Sequence, residues 1–224
     1  IAAGQVVSAD ADNPFGSGDI VITGEGAMEF HPWYRTMTNA IHIIDVGTQA
    51  VIIGNGPGSL TGPIDANCDF KIQVVYMRLN VSGDVSAQGR TVAAQVPVGD
   101  QWALTFGGQV DASMNVVGGT VTLNGSARCI GTDISVTGES SVLMAKHNDN
   151  LADTAFLRLF DGAMLNLDEG VLLNVGRFVV GTDEKPPRRY TAVTLPEAIS
   201  GEGCLRVGKG GLILARGQWI CHYS

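Results

Sequence analysis

One short phrase, repeated at irregular intervals, constrains this chain more than any other feature. Each copy is a run of alternating apolar and polar residues that ends in a glycine held within a polar pair. An apolar or small residue then opens the next run. Copies occur at Ile20–Met28, Ile44–Ile52, Leu79–Ala87, Leu104–Ala112, Val121–Cys129 and Ile134–Leu143. Period-two alternation bounded by Gly, Asp and Ser predicts short strands and tight turns. Apart from the longer step between Ile44 and Leu79, the copies start about one to two dozen residues apart, roughly the length of one coil of a parallel β-solenoid. A single coil cannot bury its inward face, so such coils must stack. The competing architecture is a β-sandwich, which also strings short strands between turns; the phrase favours the solenoid.

The densest copies fall between Leu157 and Val207. Three alternating runs, Leu157–Phe160, Met164–Leu167 and Val171–Val175, are separated by Asp161-Gly162 and Asp168-Glu169-Gly170. A fourth run, Phe178–Val180, leads into a Pro-rich excursion. A last one, Cys204–Val207, is entered through Ser200-Gly201-Glu202-Gly203. The residues Leu173, Val175, Phe178, Val180, Gly181, Tyr190, Thr191, Ile199, Ser200, Gly201, Gly203, Leu205 and Val207 follow a pattern of their own. It resembles the ending of large secreted bacterial proteins that carry autotransporter-associated β-strand repeats. The resemblance covers roughly a quarter of the chain and implies a right-handed parallel β-helix on an extracellular surface. Its motifs are architectural rather than catalytic.

The 224 residues fit a single solenoid domain, 1–224, with an extended N-terminal segment at 1–18 and C-terminal coils at 157–216. Thirty glycines and 16% charged residues suit a turn-dense β protein. A formal charge of −8 argues against nucleic acid, whose phosphates need a basic face. No apolar run approaches the length of a membrane span. The sequence opens at Ile1 rather than Met, as expected of a fragment or of a chain whose leader has been removed, with the mature secreted form favoured. Cys68, Cys129, Cys204 and Cys221 are even in number and lack CxxC spacing. In an exported protein that favours disulfides, Cys204 with Cys221 and Cys68 with Cys129, over buried thiols. It does not favour a zinc site.

Residues with the means for chemistry are few. Phe30–Arg35 is the one aromatic cluster, and Trp33, Tyr34 and Arg35 could form a sugar-stacking platform for a cell-surface glycan. Such a cluster suits a core plug better, since aromatic side chains bury large areas. Asp10, Asp12 and Asn13 begin like a calcium loop, but Pro14 breaks the pattern, and His42 stands alone. Asp149, Asp153, Asp161, Asp168 and Glu169, with Arg158 and His147, are the best carboxylate set for glycoside cleavage. Asp161, Asp168 and Glu169 nevertheless occupy turn positions that favour such residues for backbone reasons. No phosphate loop, nucleophile elbow or dinucleotide fingerprint is present, so the chain is expected to be non-catalytic and without cofactors.

Charge is unevenly distributed. Residues 1–70 hold eight carboxylates against Arg35, a net of −7, whereas residues 177–216 hold seven cations against four carboxylates, a net of +3. In a solenoid this becomes an axial dipole. No capping helix is legible at either terminus, so open ends are expected. Arg188, Arg189, Trp219 and Tyr223 are then the candidates for head-to-tail self-association into a homopolymer. The expected role is that of an extracellular fibre subunit, surface-layer element or adhesin stalk. The alternative is a polysaccharide-binding or polysaccharide-cleaving β-helix.

Overall fold

The computed structural model describes residues 3–7, 11–44 and 50–208. The described residues are all β, and their parallel strands stack into a solenoid of about seven turns. Each turn visits three faces in a fixed order. The first face holds Ile20–Thr23, Ile41–Ile44, Ile64–Ala66 and Arg128–Cys129. The second holds Glu25–Phe30, Ala50–Asn55, Phe70–Tyr76, Asp133–Thr137, Phe156–Phe160 and Arg177–Val180. Two long strands, Val85–Gln95 and Gln109–Val117, bend from the first face onto the second. The third face holds Arg35–Met37, Gly58–Leu60, Arg78–Val81, Ala103–Phe106, Thr120–Leu123, Val142–Ala145, Met164–Leu167 and Ile199–Gly201.

Register makes the core. On the first face Ile20, Ile41, Ile64, Val85, Val110, Cys129 and Leu151 stack one above another. On the third, Met37, Leu60, Val81, Phe106, Leu123, Ala145 and Leu167 do the same. These columns join one continuous buried cluster from Ile20 to Val207. Burying each large aliphatic side chain contributes roughly 1.5–3 kcal/mol, realised only when the next coil covers it. Coil length varies because corners, not strands, absorb insertions: Phe106 pairs with Leu123, 17 residues on, whereas Val81 pairs with Phe106, 25 residues on.

Corner chemistry ties each coil to the next. Asp69 accepts from the Thr91 N–H, Asp84 from the Gln109 N–H and Asn148 from the Leu172 N–H, at 2.7–2.8 Å. Each bond spans a single coil. Where the third face turns into the first, Gly62, Gly83 and Gly108 stack so closely that a Cβ on Gly83 would lie 2.0 Å from the Gly62 carbonyl oxygen. The polar stretch Lys146–Asp153, which reads as an interruption, is another such corner. Its fully buried Asn150 accepts from the Lys146 and His147 N–H groups at 2.8 and 2.7 Å and donates to the Asn124 and Ala127 carbonyls.

Four expectations need correction. Asn55–Pro63 reads as a loop by composition, yet Gly58–Leu60 is a third-face strand. Alternation over Phe70–Val81 puts either Ile72, Val74 and Tyr76 or their odd-numbered neighbours inward; Ile72 and Val74 are buried, but Tyr76 does not continue the set. A register shift at Gly54/Asn55 and a positive φ of 60° at Met77 turn it outward. The C-terminal end is not open on every face. The Pro-rich excursion folds back, pairing Asp183–Glu184 antiparallel with Arg177–Val180 and Arg189–Tyr190 antiparallel with Cys204–Val207. Tyr190 is fully buried there, edge-on to Phe178 at 5.9 Å, and donates to the Pro186 carbonyl. The cap is thus a β excursion rather than a helix.

The fourth correction concerns the disulfides. Among the described residues none forms, and Cys129 keeps its thiol. Cys68 follows the coil of Ile64, and Cys129 stacks three rungs further along. Three rungs of about 4.8 Å separate them by about 14 Å along the axis, twice what a bridge spans. Burial pushes the Cys129 thiol up to about 12; the Asp111 carboxylate adds to this and the Gly131 backbone hydrogen bond opposes it. Cys221, the expected partner of Cys204, lies outside the described residues.

At the other end, Ala3–Val7 adds a parallel strand to the second face beside Glu25–Phe30, so the N-terminal segment extends its own sheet. Asp12 and Asn13 are not poised for calcium: their carboxyl and amide oxygens accept the Thr36 and Thr38 N–H groups at 2.9 and 2.7 Å. They thereby cap the first third-face strand. Asp10 lies outside the described residues.

Candidate functional site

The aromatic cluster divides in two. Phe30 and Pro32 turn inward and are buried, while Trp33 and Tyr34 remain 47% and 79% exposed. The cause is local: Trp33 and Tyr34 both have positive φ, 34° and 67°, in a turn closed by the Arg35 N–H donating to the Pro32 carbonyl at 2.7 Å. Non-glycine residues seldom hold that conformation. It is fixed by the coil above, where the Tyr34 N–H donates to the Pro57 carbonyl. Gly58 leaves room for Pro32, since a Cβ there would sit 2.0 Å from the proline Cβ. Phe30 and Pro32 supply the plug; Trp33, Tyr34 and Arg35 form an exposed corner between the second and third faces.

That corner carries more than the sequence suggested. The Trp33 ring lies 5.9 Å from the half-exposed Tyr76 ring, which stands two coils along the axis. Beneath them the Glu29 carboxylate is 2.6 Å from His31 Nε2 and accepts from Asn55 Nδ2 at 2.7 Å, a polar triad spanning two coils. Further along the same corner Trp102 is half-buried, its ring against Gly99, where an added Cβ would be 2.4 Å from the indole. Trp102 Nε1 has no hydrogen-bond acceptor among the described residues. From Trp102 a shallow groove of about 410 Å³ opens over the third face, with Arg78, Asp100, Thr105, Thr122 and Lys146 among its walls. Nothing in the sequence marks Tyr76 or Trp102 as neighbours of Trp33. The signal would have been coil register, which sets which corner residues stack.

Of the carboxylate set, Asp161 and Asp168 do not converge. Asp161 and Asp168 sit in turns at opposite ends of Met164–Leu167. A four-residue strand is about 13 Å long, beyond the roughly 5–9.5 Å that glycosidase carboxylates need. Asp161 has a φ of 54° beside Gly162, and Asp168 lies 3.8 Å from Lys146 Nζ, as turn and surface residues do. Arg158 pairs with Asp133 and lies over the Phe156 ring. The His147 N–H serves the Asn150 corner. His42 lies 3.4 Å from Asp19 and 3.5 Å from Asp65. No group of three or more described His, Cys, Asp or Glu could hold a metal ion.

Arg188 and Arg189 lie on the C-terminal cap: the Arg188 guanidinium covers the Tyr190 ring at 4.8 Å, and Arg189 is the cross-strand partner of Arg206. Beside them Arg177 and Glu184 form a bidentate pair at 2.9 Å, which holds the Glu184 carboxyl below its ordinary range. Trp219 and Tyr223 lie outside the described residues. No described helix is long and apolar enough to cross a membrane.

Fold and corner together define a three-faced parallel β-solenoid with an exposed aromatic edge. Comparison with protein-family models, curated proteins and solved structures finds no match for the chain.

Proposed function

We propose that this chain is a non-catalytic structural protein of the cell exterior, a rigid solenoid unit of a fibre, surface layer or adhesin stalk that associates head to tail. The observation that carries the reading is axial order. Neighbours along the two large sheets follow chain order, so the acidic first coils and the Arg188–Arg189–Arg206 cap stand at opposite ends of one axis. A second copy approaching end to end then meets opposite charge in one polarity and like charge in the other. Because the cap covers Cys204–Val207 and Arg177–Val180, the joint falls on the cap surface and on the third-face strand Ile199–Gly201, which no other described strand covers. Exposed charges are individually weak and screened by salt. They set polarity, while apolar contact and backbone pairing supply affinity.

The exterior location rests on the resemblance of residues 173–207 and on composition, since disulfides lend it no support. A heterologous joint that does not close produces filaments. Light scattering and electron microscopy of the full chain test this. The wild type is expected to grow linear assemblies that Arg188→Glu/Arg189→Glu shortens; a wild type monomeric at every concentration refutes it.

A further inference from the structure

We infer that the third face and its aromatic corner bind an acidic carbohydrate chain laid along the solenoid axis. Three independent observations converge. The first is the aromatic edge: Trp33, Tyr34 and Tyr76 present exposed rings at one corner, and Trp102 continues that edge into the groove. Flat rings stack on the C–H faces of pyranose sugars while leaving hydroxyls free to hydrogen-bond, the amphipathic contact that aromatics provide at interfaces.

The second is a ladder of short hydrogen-bonding side chains. Thr36, Ser59, Asn80, Thr105 and Thr122 occupy one outward column of the third face in continuous register. Thr36, Ser59, Asn80 and Thr105 are partly exposed and offer a hydroxyl or amide at successive rungs, about 4.8 Å apart, while the Thr122 hydroxyl is buried and donates to Met144 Sδ. From Arg35 to the strand preceding Lys146 the surface covers five such steps, about 24 Å. That suits an extended chain better than a single sugar.

The third is charge. The protein carries −8, and residues 1–176 hold only seven cations. Three of them, Arg35, Arg78 and Lys146, lie along this face, and Arg78 and Lys146 wall the groove. The eight third-face strands contain Arg35 and Arg78 and no Asp or Glu, whereas the strands of the other two faces carry several. The carboxylates beside this surface are each engaged: Asp12 accepts from the Thr36 N–H, Glu29 bonds His31 and Asn55 at the aromatic corner, and Asp168 lies 3.8 Å from Lys146, which leaves Asp100 at the groove wall. A cationic strip on an acidic protein selects a carboxylated chain, such as one built of uronic acids, over a neutral one. Binding is independent of self-association, and either can fail alone.

The test is calorimetry on the full chain with hexagalacturonate, and with cellohexaose as the neutral chain of equal length. Hexagalacturonate is expected to bind saturably, to weaken as salt rises, and to bind more tightly than cellohexaose. Trp33→Ala and Trp102→Ala should each weaken it about tenfold, the scale of a buried aromatic contact. Arg78→Ala/Lys146→Ala should remove most of the salt dependence, while Arg128→Ala on the first face should change nothing. Trp33 and Arg78 are exposed, so their variants carry the test if Trp102→Ala does not fold. Absence of saturable binding, binding indifferent to Trp33→Ala and Arg78→Ala, or equal affinity for cellohexaose overturns the inference.

Discussion

Replacing Asn150 with Ala should cut the solenoid in two energetically. Asn150 is fully buried and makes four side-chain hydrogen bonds, two accepted from Lys146 and His147 and two donated to Asn124 and Ala127. Its own carbonyl accepts from the Cys129 N–H at 2.8 Å, so the corner it shapes also sets the first-face register. A net contribution of about 1 kcal/mol per bond gives about 4 kcal/mol. Lys146, His147 and Asn124 are exposed residues whose backbone groups water can partly reach, whereas Ala127 is buried, so about 3 kcal/mol is the expected loss. Asn150→Asp keeps both accepted bonds but turns an acceptor toward two carbonyls, and should cost a similar amount. Because stacked coils are coupled mainly to their neighbours, the damage should be local. Hydrogen exchange should speed at Cys129 and Ala152 before it does at Ile41 or Leu60, and urea unfolding should lose its single transition. Exposed Asp149→Ala is the control. A loss below about 1 kcal/mol for Asn150→Ala, with exchange at Cys129 unchanged, would show that water replaces the amide and that the corner is not a coupling element.

Three further outcomes can be checked directly. Gly83→Ala should destabilise by about 2–3 kcal/mol, because its Cβ meets the Gly62 backbone carbonyl at 2.0 Å. Gly18→Ala, with open space around it, should be near neutral by thermal melting. The Cys129 thiol should resist thiol reagents in the native protein at pH 8–9 and react on unfolding, read by mass spectrometry. Its folded value lies above the ordinary 9.0, so the stability it contributes is intact below pH 9 and declines from there toward about pH 12; a thiol that titrates normally in the folded chain contradicts this. Arg177→Ala should return the Glu184 carboxyl upward to the ordinary range in an NMR titration with little change in melting, since the ion pair is exposed to solvent.

The sequence by itself determined the strands and the class of fold. Runs read as Met164–Leu167 and Cys204–Val207 are strands with those bounds, and the run placed at Leu157–Phe160 begins one residue earlier. Period-two alternation reports which side of a strand faces a core, and the glycine-bounded turns report where it ends. Alternation is a local property, so it survives without knowledge of the partners. What only the tertiary structure decided is what lies above what. Tyr76 follows the alternation until a register shift two coils from Trp33 turns it outward. Cys68 and Cys129 look like a pair in a count of thiols and stand three rungs apart in the stack. The cap at Asp183–Tyr190 leaves no helical period because it is made of a tight hairpin onto Arg177–Val180 and an antiparallel pairing with the later strand Cys204–Val207. The physical reason is common to all three. Coil length is set by corners of variable size, so one residue more or less in a loop changes which side chains share a column, and no local pattern records that.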